Sequence, residues 1–256
     1  MKNLVLTVSP DSSIELLKAF ADIIILDTDP IPTYIPFYET LYIRSHFSQS
    51  STLPEVFREE IEDIIQKANQ TNPNIRFIDG TSTIDEIVAI EDKWNQYEMY
   101  GSFMPKTELL TSNFDTFAFK RPVFKKRLSS QGAGVTWDIG KTTTPSDEWI
   151  VQESLDIIEE LRIYVIKGEV YPLGAIRQSK TINQGTQAVG SRSLTEDEID
   201  FSLKIGQQAP SLEIIGIDIA RTSNGLLYLM EVNRSPGFGK FAQLTGVNLA
   251  SSLYTS

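Results

Sequence analysis

Apolar residues fall in short alternating or continuous runs along this chain, separated by clusters of Pro, Gly, Asn and Asp. Such runs predict strands, and the few stretches with a 3.6-residue period predict helices. Residues 4–8 read as a first strand, 12–20 as a helix capped by Ser or Asp, and 23–26 as a buried strand. After a Pro-rich loop (Pro30, Pro32, Pro36), residues 41–44 predict a strand, 54–69 a helix with proline in its first turn, and 75–78 another strand. Strand–helix alternation of this kind predicts a small α/β domain with a largely parallel sheet. Residues 83–100 read as helical, and a strand at 107–110 follows.

Beyond that point the pattern turns mostly to β. Strands are predicted at 123–128, 135–138, 149–152, 161–166, 170–176, 214–220 and 226–232, with one helix at 195–208 among them and a short helix at 248–254. The domain boundary falls near 80–92, giving a small α/β unit over residues 1–85 and a second unit with α+β character over 86–256.

The densest chemical signal lies in the last two strands. Gly216-Ile217-Asp218-Ile219-Ala220-Arg221 and Met230-Glu231-Val232-Asn233-Arg234-Ser235-Pro236-Gly237 flank Asn224-Gly225, a two-residue type I′ hairpin signal. With those two residues as the loop, Ser223 pairs with Leu226 and Asp218 lies opposite Glu231. Asn233 shares the face of Glu231, while Ile217, Ile219, Met230 and Val232 take the opposite, core face. Carboxylates paired across a ladder repel. Either the face is a solvated acidic surface, or a hard cation such as Mg2+ offsets the repulsion.

Composition narrows the chemistry. The chain has no cysteine and a single histidine, His46, which excludes disulfides, thiolate sites and His-rich metal centres. A formal charge of −11 repels nucleic acid and anionic membranes, so neither is an expected partner. No apolar run approaches the roughly 20 residues of a membrane span, and the N-terminus reads as a strand, so the cytoplasm is the expected compartment. An anionic substrate would need a local basic pocket. The dense positive cluster is Lys120, Arg121, Lys125, Lys126 and Arg127, next to the small-residue loop Ser129-Ser130-Gln131-Gly132-Ala133-Gly134-Val135. Such glycines let backbone N–H groups approach phosphate. A tight hairpin beside a lysine-bearing edge strand would look the same.

In their order, these segments resemble the ATP-grasp superfamily, most closely its RimK-like branch of carboxylate–amine ligases, over residues 91–256. Asp92-Lys93-Trp94 resembles the lysine-bearing helix ahead of the nucleotide fold. Val123-Phe124-Lys125 with Ser130 to Val135 is similar to the lysine strand and glycine lid. Ile150-Val151-Gln152-Glu153-Ser154-Leu155 resembles the adenine hinge, Glu160-Leu161-Arg162-Ile163 the segment with a ribose-binding acid and an arginine, and the last hairpin the metal site.

The resemblance implies an ATP-grasp fold preceded by a small Rossmann-like α/β domain. It implies an ATP- and Mg2+-dependent ligase that forms an amide or peptide bond through an acyl phosphate, on an amino acid, peptide or protein. Lys93, Lys125, Ser130, Gln131, Gly132 and Gly134 would serve the phosphates. Gln152, Glu153, Leu155 and Glu160 would serve the nucleoside. Asp218, Glu231 and Asn233 would hold two Mg2+ ions, or Mn2+ in their place, Arg162 or Arg221 would stabilise charge on the acyl phosphate, and Arg234, where the family often has a small residue, would add a charge to the acceptor pocket. Where the family has an Arg-Ser-Asn segment this chain has 177–187, in which Arg177, Lys180 or Asn183 would substitute. The expected partners are a carboxylate and an amine, with self-association left open. A nucleotide-binding regulator of the same fold without ligase activity is the alternative, and a metal-free interaction module a third.

Overall fold

A computed structural model describes residues 2–8, 10–44, 55–111, 118–129, 134–137, 146–179 and 186–254. The N-terminal lobe is built on β1 (Asn3–Thr7), β2 (Asp22–Ile25), β3 (Thr40–Ile43) and β4 (Arg76–Phe77), a parallel sheet in the order β2-β1-β3-β4. A parallel strand buried on both faces should be apolar at every position. Asn3 to Thr7 are all buried, with Leu4 and Leu6 facing one core and Val5 the other.

The first of these cores packs Leu4, Leu6, Leu41 and Ile43 under α2 (Glu55–Thr71) and α3 (Ile84–Glu91). The second packs Val5 and Tyr42, with Ile14 and Leu17 of α1 (Ser12–Leu17), against the C-terminal part of the chain. Its other members are Tyr164 and Ile166, Ile214, Phe238, Phe241 and Leu253. Each such side chain, fully buried, contributes about 1.5–3 kcal/mol. The two lobes therefore share a core.

Between the lobes, Asp92 splits the helix expected over 83–100. Its backbone is extended, and its side chain accepts from Trp94 and Asn95 N–H at 2.7 and 3.4 Å, capping a separate helix, α4 (Lys93–Tyr100). A smaller antiparallel sheet follows in the order β5-β8-β6-β7, from β5 (Thr107–Leu109), β6 (Pro122–Lys126), β7 (Val135–Thr136) and β8 (Trp149–Glu153).

The large antiparallel sheet runs β12-β11-β9-β13-β14, from β9 (Ile157–Ile166), β11 (Leu173–Ser179), β12 (Thr186–Ser193), β13 (Ile214–Thr222) and β14 (Leu227–Asn233). The short β10 (Glu169–Val170) pairs with β9 through a turn at Lys167 and Gly168, both at positive φ, so the single strand expected at 170–176 is two. Two elements lacked a sequence signal. They are β12, and α6 (Gly239–Thr245), which precedes α7 (Leu249–Tyr254). The underside of the sheet buries Leu161, Ile163, Ile217, Ile219, Leu229 and Val232 against α4 and α5 (Glu196–Gly206). No helix among the described residues is long and apolar enough to cross a membrane.

Candidate active site

The last hairpin differs from expectation in its loop and agrees in its pairing. Thr222 N–H bonds to Leu226 O at 3.0 Å and Gly225 N–H to Thr222 O at 2.8 Å, so three residues form the loop, with Gly225 at φ 85°. The three-residue connection shifts the register by one. A bulge between Ile219 and Asp218 then absorbs Met230 as an extra residue and restores Asp218 opposite Glu231 and Gly216 opposite Asn233. The bulge also flips the alternation, so Leu229, not Met230, joins the core.

Four neighbouring strands present charged side chains on one face. Arg177 of β11 pairs in register with Glu160 of β9, and Arg162 of β9 pairs with Asp218 of β13, which pairs with Glu231 of β14. Arg162 grips Asp218 bidentately, Nε to Oδ1 at 2.7 Å and Nη2 to Oδ2 at 2.6 Å. Arg177 Nη1 reaches both oxygens of the same carboxylate at 3.0 and 2.8 Å. Burial works against the Asp218 charge, but the two guanidinium groups hold its pKa below the usual carboxylate value. Glu160 shifts the other way: burial, then the Asp218 charge, push its pKa up despite Arg177 and Lys125.

Two lysines complete the row. Lys93 opens α4, lies 3.7 Å from Glu231 Oε1, and donates to the carbonyl and hydroxyl of Ser129 at the base of the glycine loop. Its helix end is fixed by Arg127, which bonds Asp92 through Nε and Nη2, with Lys93 N–H donating to Arg127 O at 3.2 Å. Lys125 donates to Gln152 Oε1 at 2.6 Å. Burial and the nearby Lys93 charge lower its pKa to about 8, against the pull of Glu231 and Glu160. Lys93, Lys125, Arg162 and Arg177 thus gather with Asp218, Glu231 and Glu160, a cationic excess of one on a chain whose formal charge is −11.

Other expected site residues are placed as follows. Gln152 is buried and spans from Lys125 to Thr107 Oγ1 (2.9 Å), so its side chain orients the lysine. The Glu153 carboxylate accepts from Lys120 and Arg121 N–H, both at 3.0 Å, and Leu155 stands half-buried beside it. Gly134 has φ 70° and lies where a Cβ would meet Lys126. Ser130, Gln131, Gly132, Lys180, Asn183 and His46 lie outside the described residues.

Two arginines do not belong to this face. Arg221 is an odd position of β13 and points to the other side, where it bonds Glu198 Oε1 at 2.8 Å and Asp197 Oδ2 at 3.0 Å. Burial raises the Glu198 pKa, but Arg192 and Arg221 together bring it down to about 2. Arg234 is fully buried and turned into the N-terminal lobe, donating to Ile43 O and Asp79 Oδ2, both at 2.6 Å, with Glu91 Oε1 at 3.1 Å. Neither is placed to stabilise charge beside Asp218.

Two residues carry weight without having been expected. Tyr164, on the face of Arg162, donates to Gly237 O at 2.8 Å. Gln96 of α4 bonds both backbone groups of Val232. No sequence spacing links residues so far apart.

Asp218, Glu231 and Asn233 offer hard oxygen donors of the kind Mg2+ takes. The buried amide nitrogen of Asn233 has no hydrogen-bond partner among the described residues. Among the described residues no group of three or more His, Cys, Asp or Glu stands as a cage. Such a set suits an ion shared with phosphate and water.

Residues 107–256 match the RimK-like ATP-grasp domain. Among solved structures, the ATP-grasp ligase PsnB complexed with minimal precursor, Mg and ADP is 16% identical, with a TM-score of 0.66 over 98% of this chain and 96% of that one. The macrocyclase MdnB from Microcystis aeruginosa MRC is 15% identical, TM-score 0.64, covering 100% of this chain and 99% of that one. A RiPP-associated ATP-grasp ligase from Chryseobacterium gregarium, in complex with ADP and a leader and core peptide, is 14% identical, TM-score 0.65, over 99% and 95%. No curated protein matches the sequence. The fold and the domain are those of ATP-dependent ligases that form C–N bonds. With more than half of its length matched, the chain belongs to the RimK-like ATP-grasp family.

Proposed function

We propose that the protein is an ATP- and Mg2+-dependent carboxylate–amine ligase that closes amide bonds on a peptide. The observation that carries this reading is the cationic row of Lys93, Lys125, Arg162 and Arg177 set against Asp218 and Glu231 on an otherwise acidic chain. A peptide is favoured as substrate because PsnB was also solved with a precursor peptide and the Chryseobacterium gregarium ligase with a leader and core peptide.

In this reading Lys93 and Lys125 bind nucleotide phosphates, Glu160 the ribose, and the hinge at Glu153 and Leu155 the adenine. Asp218, Glu231 and Asn233 hold two Mg2+ ions, which when bound neutralise phosphate oxygens. Arg162 and Arg177 orient the substrate carboxylate. One carboxylate oxygen attacks the γ-phosphorus, the bond to the β-phosphate oxygen breaks, and ADP leaves. The amine nitrogen then attacks the acyl carbon, the C–O bond to phosphate breaks, and the nitrogen gives up a proton. Positioning and electrostatics supply the rate, and no side-chain nucleophile is needed.

The test is an ADP-release assay with candidate peptides that carry both an acidic side chain and an amine, read in parallel by mass spectrometry. Peptide-dependent ADP formation with loss of one water from the peptide, abolished in Glu231→Ala, is the expected result. Mg2+-dependent ADP binding with no turnover on any carboxylate–amine pair would refute ligation.

A further inference from the structure

β14 is the outer strand of its sheet and carries both Glu231 and Asn233. In an antiparallel edge strand every second residue turns its N–H and C=O outward, away from its neighbour. Val232, between the two acidic-site residues, is such a position. Its N–H donates to Gln96 Oε1 at 3.0 Å, and its carbonyl accepts from Gln96 Nε2 at 2.9 Å. The second Nε2 proton goes to Ile90 O at 2.9 Å. Both Nε2 protons of this buried amide are used and its Oε1 accepts once, and a flipped amide would set N–H against N–H. Gln96 thus stands in for the missing next strand at one residue.

Lys93 lies three positions earlier on the same helix, on the same side, and is 3.7 Å from Glu231. One rigid turn of α4 therefore holds the lysine and the backbone of the acidic strand in fixed register. We propose that Gln96 is a positioning residue: through Val232 it sets Glu231 and Asn233 against Lys93, so that metal and phosphate can be held together. The inference rests on the nucleotide-site reading above and adds to it a residue that touches neither ligand.

The experiment is calorimetric ADP binding to the full chain, with Mg2+ and with EDTA, for wild type, Gln96→Met and Gln96→Glu, alongside thermal unfolding without ligand. Gln96→Met keeps the volume and removes all three bonds. It should leave ADP affinity in EDTA close to wild type and cut the Mg2+-dependent gain by about 10-fold or more, the scale of an outer-shell partner. Gln96→Glu keeps the acceptor for Val232 N–H but, ionised, faces two carbonyls. Its Mg2+ gain relative to wild type should recover as pH falls and the carboxyl can again donate.

A folded Gln96→Met with an undiminished Mg2+ gain would overturn the proposal. Should Gln96→Met not fold, Gln96→Glu decides by the same ratio, and failure of both to fold would mark a purely structural pin and overturn it as well. Absence of ADP binding in wild type would instead refute the nucleotide site itself.

Discussion

Arg234→Met tests the buried charge cluster that joins the lobes. Arg234 and Asp79 are both fully buried, and their 2.6 Å contact sits one residue beyond Asn233. Burial pushes the Asp79 pKa up to about 6, and Arg234 is the strongest influence pulling it down. In the unfolded chain the same carboxyl titrates at about 3.9. Between those values the native state holds a proton that the unfolded state has released, so this group's contribution to stability falls as pH rises and levels off above about 6.

Methionine fills the volume without the charge. Asp79 then loses its cation, its folded pKa rises further, and the decline continues above pH 6 at about 1.4 kcal/mol per pH unit. Relative to wild type the variant should lose about 1–3 kcal/mol at every pH, because the Ile43 carbonyl is left without its donor. A further loss of up to about 2.7 kcal/mol should accumulate between about pH 6 and 8, bringing the total near the upper end of, or somewhat beyond, the usual cost of breaking a buried pair. Urea unfolding midpoints followed by circular dichroism across that range provide the assay, with Asp79→Asn/Arg234→Met as the control in which position 79 cannot titrate. A deficit that stays constant with pH, or the same slope in the control, would refute the reasoning.

Other outcomes follow from single contacts. Lys125, lowered to about 8, is the protonated partner a phosphate needs, so ADP affinity should fall as pH rises through that value and the trend should vanish in Lys125→Met; a calorimetric pH series reads it. In Gly216→Ala the new Cβ would meet Pro236 Cβ at 2.6 Å, which should cost about 1–3 kcal/mol in urea and weaken Mg2+-dependent ADP binding by displacing the segment after Asn233. Arg221→Met should cost about 1 kcal/mol, because Glu198 keeps Arg192, and should leave ADP affinity within about twofold of wild type; a larger affinity loss would return Arg221 to the site.

The legible part of this protein was what period and local turn chemistry control. Leu4-Val5-Leu6 announces a strand buried on both faces, and the alternation in β9 and β13 separates site from core. Asp218 opposite Glu231 was also legible, although by two compensating errors. Asn224-Gly225 suggested a two-residue loop, the molecule uses three, and the bulge at Met230 returns the register. A bulge has no period and so leaves no pattern to read. The misassigned arginines have a different cause. Arg221 and Arg234 sit beside site residues in sequence, but strand alternation sends Arg221 to the far face. Arg234 follows the last residue of β14, where the chain leaves the sheet and the side chain finds Asp79 from another lobe. Tyr164 and Gln96 were the reverse case, since their importance lies in partners far along the chain.

Three charges of the site already have internal partners: Asp218 has two arginines, Lys93 has Glu231, and Lys125 has Gln152. Binding is therefore an exchange of partners. Mg2+ arriving alone must draw Asp218 away from Arg162 and Arg177 and leave them facing one another. ADP arriving alone satisfies the lysines but sets its phosphates against Glu231. Together, phosphate takes over the lysines while the metal takes over the carboxylates, so each ligand relieves the repulsion the other would meet, and Arg162 and Arg177 are left for the substrate carboxylate. The two ligands should bind with positive coupling, reciprocal in free energy. Thermal unfolding should show little response to millimolar Mg2+, a small one to ADP, and a clearly larger one to both, about 2.7 kcal/mol of stabilisation at 100 times the dissociation constant. Shifts that merely add would mean that these internal partners are bystanders rather than placeholders.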